Sequence, residues 1–92
     1  MDRDCLDRRL RQTFDASDGE RRVVLREALD LHDDGRYADT HGAELTVEDV
    51  LDTHHEAPED LGLVERWNWW VGALELAHGG YEAFRVRRYR ED

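Results

Sequence analysis

Five histidines, one cysteine and a single serine are the side chains in this 92-residue chain best suited to metal, nucleophilic or acid–base chemistry. The histidines are His32, His41, His54, His55 and His78. Asp52-x-x-His55 and Glu75-x-x-His78 have the acid-x-x-His spacing that sets two metal ligands on one helix face. Such a centre also needs carboxylates converging from other helices. On a helical wheel Glu75 falls on a polar stripe and His78 on an apolar arc, so that pair diverges. With 23 Asp and Glu, chance matches to the spacing are expected. Each histidine is read as a cap, a satisfied core residue or a solvated one. Cys5 cannot form an internal disulfide or a thiolate zinc cage alone. Ser17 reads as a helix N-cap. No nucleophile-elbow, P-loop or dinucleotide-binding pattern occurs. Asp33-Asp34 and Glu59-Asp60 lie at helix ends or loops and read as solvated pairs. The expectation is a non-enzyme with no catalytic residue, metal or cofactor.

Two features point to contact with other molecules. The first is Trp67-Asn68-Trp69-Trp70. Aromatic side chains dominate core and interface energetics. Trp67 and Trp70 share one face and read as core. Trp69 points elsewhere, beside Gly72 and Ala73, which let a backbone approach. It reads as an anchor for a facing helix, the usual character of an interface hot spot. The second is the run Arg85, Arg87, Arg88 and Arg90, with Tyr81 and Tyr89. It reads as an edge strand whose guanidinium groups pair with the protein's own acids. The other reading is phosphate contact by these four arginines and Arg66.

These residues need elements to position them. Leu6, Leu10 and Phe14 recur at i, i+4, i+8 and predict a helix over 3–14. Ser17 and Glu20 have capping-box spacing and open a second helix over 18–34, stopped by Gly35. Residues 36–40 are a short strand or a loop. Thr46 caps a helix over 47–56, with Asp49 at the third position and Leu45 stapled to Val50. Pro58 fits the first position of a helix over 58–78. That helix buries Leu63, Val64, Trp67, Trp70, Val71, Leu74, Ala77 and His78 on one arc. Trp69, Ala73 and Leu76 form a second arc, with Gly72 at its edge. A helix apolar on two sides must be covered on two sides, by the first helix or by another subunit. After Gly79-Gly80, residues 81–90 alternate, with Phe84 and Val86 on one face, and predict a half-buried strand. Its partner is either 36–41 or the same strand of a second chain.

Charge bears on environment. The net charge is −10, and all 13 cations are arginine. Both ends are Arg-rich, residues 1–11 and 81–92 each carrying net +1, while residues 12–80 carry −12. Abundant acids with no lysine resemble the cytosolic proteins of haloarchaea. That resemblance implies a cytoplasmic protein suited to concentrated salt, where a Debye length of about 3 Å screens the repulsion. No apolar run approaches bilayer length, and the N-terminus has no signal-peptide core. The order of helices and closing strand resembles a winged helix, with Leu45-Thr46-Val47-Glu48-Asp49-Val50 looking like the entry to its second helix. The resemblance implies a DNA-binding regulator. It departs from the pattern in its long, apolar last helix and in lacking a second wing strand.

The sequence therefore predicts one domain over 1–92, mainly α with an added strand (α+β). It has four helices and a C-terminal β-strand at 81–90. Its expected role is a self-associating, homodimeric interaction module using Trp69, Gly72, Ala73, Leu76, Phe84 and Val86. Nucleic acid is the alternative partner, and a membrane is not expected.

Overall fold

A computed structural model describes residues 1–87. Helix α1 spans Arg3–Thr13, where Asp2 accepts hydrogen bonds from the backbone N–H groups of Asp4 and Cys5 at 2.9 and 3.2 Å. Leu6 and Leu10 bury its inner face. Helix α2 spans Asp18–Asp34 behind the Ser17–Glu20 capping box, and Gly35 ends it at φ 81°. Helix α4 spans Val47–Glu56 behind the Thr46–Asp49 box. Each box satisfies two backbone donors that water would otherwise have to reach.

Between them lies α3, Arg36–His41, where a short strand or loop was expected. Two glycines with positive φ, Gly35 and Gly42, bracket it and let the chain enter and leave one tight turn. Within it the Tyr37 and His41 rings stack at 3.9 Å, and the Thr40 hydroxyl donates to the Arg36 carbonyl. Both contacts have the i, i+4 spacing of a helix.

Helix α5 spans Leu63–His78, five residues later than Pro58 suggested. Pro58 instead opens a turn closed by Leu61 N–H to Pro58 O at 3.2 Å. Arg66 holds that turn. Its guanidinium donates to the carbonyls of His54, Leu61 and Glu59, and lies 5.2 Å from the centre of the Phe14 ring. Five α-helices, rather than four, thus lie among the described residues.

The predicted α+β class is wrong. Among the described residues there is no strand, and the fold is all-helical. Glu82–Phe84 form a 3₁₀ turn, with Phe84 N–H bonded to Tyr81 O and Arg85 N–H to Glu82 O. The physical reason is spacing. Tyr81 and Phe84 stand three apart, so one 3₁₀ turn brings both inward. They are 0 % and 8 % exposed. The period-two pattern rested on few residues, and among the described residues no neighbouring strand is there to pair with it. Residues 88–90 of the expected strand lie outside the described residues. No wing strand is present among the described residues.

Helix α1 packs against both α2 and α4, and α5 does the same. This sets α2 and α4 diagonally across the bundle. The arc of α5 from Leu63 to Leu74 fills the centre, and Trp67 is wholly buried. Ala77 and His78, expected on that arc, emerge exposed at the helix end.

Candidate functional site

The four residues Trp67-Asn68-Trp69-Trp70 do four different things. Trp67 donates its indole N–H to the Phe84 carbonyl at 2.8 Å. Asn68 donates to the Val86 carbonyl at 2.9 Å and accepts from the Val86 N–H at 2.8 Å. A side-chain amide thereby replaces the ladder partner that the expected strand lacked. Trp70 meets Trp67 edge-on at 5.3 Å and Tyr37 at 6.1 Å inside the core. Trp69 alone turns outward and is 40 % exposed.

Trp69 continues into Gly72, Ala73 and Leu76, the i, i+3, i+4, i+7 stripe of a packing helix. Leu76 is 91 % exposed. Trp69 and Leu76 are the exposed large apolar side chains among the described residues. Asn68, Glu75 and Arg85 border the stripe and with it line one shallow groove. Arg85 lies across the helix where Gly72 has no side chain. A Cβ there would stand 3.4 Å from its guanidinium. Its Nε is 2.9 Å from the Glu82 carboxylate, but the N–H is angled away, so the contact is an ion pair without an aligned hydrogen bond. Helix α1, one of the two expected covers, packs against α2 and α4 instead.

The structure thus brings Trp69, Gly72, Ala73 and Leu76 together on one open face. It places Phe84 in the chain's own core, with Val86 half-buried against it. Of the expected phosphate contacts, Arg66 is committed to three backbone carbonyls and Arg85 to Glu82. Arg87 is exposed. Arg88 and Arg90 lie outside the described residues.

The five histidines do not gather at one site. His78 meets His41 edge-on at 5.2 Å, and His55 lies 5.1 Å from Phe14. No group of three or more His, Cys, Asp or Glu among the described residues is placed to hold a metal ion. His54 is fully buried. Its Nδ1–H donates to the Val50 carbonyl at 2.8 Å, while Nε2 has no partner. Burial lowers its pKa from 6.5 to about 4; the Val50 bond opposes the shift, and Arg66 and His55 add to it. Cys5 is a half-buried thiol on α1.

Asn68 escaped sequence reasoning as a functional residue. The available signal was an amide among tryptophans in mid-helix, where polar side chains do little for the helix itself.

Fold and site together define a small domain, all-helical among the described residues, that turns one stripe of α5, headed by Trp69, outward. Residues 1–75 match the family model of the WNWW domain, and the chain belongs to that family. The letters of the description stand at 67–70. No curated protein and no solved structure matches the chain. No helix among the described residues is long and apolar enough to cross a membrane.

Proposed function

We propose that this chain is a non-enzymatic interaction module that pairs with a second copy of itself through α5. The observation that carries the reading is the stripe Trp69, Gly72, Ala73, Leu76. It runs large, small, small, large, and so reads the same in both directions. Two α5 helices crossing antiparallel between Gly72 and Ala73 set Trp69 of each copy against Leu76 of the other. The two small residues let the backbones approach. Asn68, Glu75 and Arg85 lie along one border of the stripe, and an antiparallel two-fold sets that border against its own copy, where the acid of one chain faces the guanidinium of the other.

The acid-rich surface fits concentrated salt and a cytoplasmic setting. High salt would screen acid–acid repulsion and leave the apolar contact intact.

Sedimentation in concentrated potassium chloride tests the pairing. The wild-type chain should sediment as a dimer and Leu76→Glu as a folded monomer. A wild-type monomer at every concentration, or a dimer unchanged in Leu76→Glu, would overturn the reading.

A further inference from the structure

Acids outnumber arginines by ten in this chain, so each arginine has acids to pair with. Several do. Arg9 meets Glu48, Arg21 meets Asp7 and Asp18, Arg36 meets Asp34, and Arg85 meets Glu82. Arg3 and Arg22 have no ion-pair partner among the described residues, and Arg26 reaches only Glu27 at 4.0 Å. These three line the same concavity, a basin of about 460 Å³ between the first turn of α1 and the outer face of α2. Arg22 and Arg26 stand one turn apart on α2, so both side chains leave the same face of the helix. Three guanidinium groups against the two carboxylates of Asp30 and Asp33 leave the lining with a net positive charge that an anion would neutralise.

The rest of the lining narrows the ligand. Val23 and Leu29 form a half-buried apolar floor. Asp30 and Asp33 follow one and two turns beyond Arg26 and are suited to accept hydrogen bonds from hydroxyl or amino groups. The combination asks for a small molecule with a phosphoryl group, an apolar ring and hydrogen-bond donors. Guanidinium forks bind phosphate oxygens with short, charge-assisted bonds. The size is that of one small-ligand pocket. A long polyanion would meet the field of a chain at −10.

We propose that Arg3, Arg22 and Arg26 form a binding site for a phosphorylated small ligand of nucleotide type, with its ring on Val23 and Leu29. The site shares no residue with the α5 stripe, so it stands or falls independently of self-association.

Titration calorimetry of the full chain with ADP as probe tests it. Arg22→Gln and Arg26→Gln alter exposed side chains, and circular dichroism verifies that each variant is folded. Saturable ADP binding is expected, weakened about tenfold or more in either variant, since one charged hydrogen bond carries at least that much. Arg8→Gln, exposed on α1 outside the basin, should bind as wild type. No saturable ADP binding overturns the proposal, as does an equal loss in Arg8→Gln, which would mark diffuse attraction. A single-stranded oligonucleotide bound through Arg22 and Arg26 when ADP is not would overturn it in favour of nucleic acid.

Discussion

The carboxamide of Asn68 holds the backbone of Val86 at both ends, accepting its N–H and donating to its C=O across 18 positions of sequence. With the Trp67 indole bond to Phe84, this fixes the C-terminal segment against α5. Asn68→Ala leaves the Val86 N–H and C=O without that partner. The expected loss is about 1–3 kcal/mol, within the range for half-buried polar groups losing their bonds. Amide hydrogen exchange at Val86 should accelerate more than exchange in α1. Unchanged protection at Val86 would contradict the clamp.

His54 should make the fold acid-labile. Its pKa is lower in the folded chain, about 4, than the ordinary 6.5. The unfolded chain therefore binds the proton more readily, and stability falls as pH drops through that interval. The contribution is fully present above about 6.5 and reaches a loss on the order of 3 kcal/mol near pH 4. Denaturant titrations across this range should show the fall, and His54→Leu should flatten it. An equally steep acid limb in His54→Leu would assign the effect to other groups.

Arg66→Lys tests a fork. Three nitrogens of Arg66 reach three carbonyls around the Pro58–Leu61 turn. An ammonium group is a single point and cannot span the same three acceptors. The variant should lose about 1–2 kcal/mol of stability in thermal or chemical unfolding, with the turn exchanging faster. Stability equal to wild type would show that the charge alone suffices.

Salt should raise stability steeply. Repulsion among the acids opposes compaction in dilute buffer and is screened as the Debye length shrinks to about 3 Å near molar salt. The unfolding midpoint in potassium chloride is the measurement. A flat curve from dilute to molar salt would contradict the expectation.

The legible part of the fold was local. Ser17 with Glu20 and Thr46 with Asp49 announce helix starts because a cap and its donor lie within one turn. The core arc of α5 was legible because 16 residues sample the helical period several times. The stripe from Trp69 to Leu76 followed from the same wheel. The rest depended on partners distant in sequence. Residues 81–86 were misread because Asn68, rather than another strand, satisfies Val86. A helix stands at Arg36–His41 where a short strand or a loop was expected, since the flanking glycines and the Tyr37–His41 ring stacking decide it. Pro58 was a plausible helix start, but Arg66 captures that turn from the following helix. The Arg3–Arg22–Arg26 basin requires α1 folded back on α2, and no single helix wheel contains it.

The three tryptophans also make the chain its own optical instrument. Trp67 and Trp70 are sealed at 0 % and 5 % exposure, whereas Trp69 stands 40 % open. A collisional quencher such as iodide therefore reaches one emitter of the three, on the face proposed for pairing. Any event on that face is readable as shielding of Trp69 emission, with no label attached and the two buried rings serving as the internal reference.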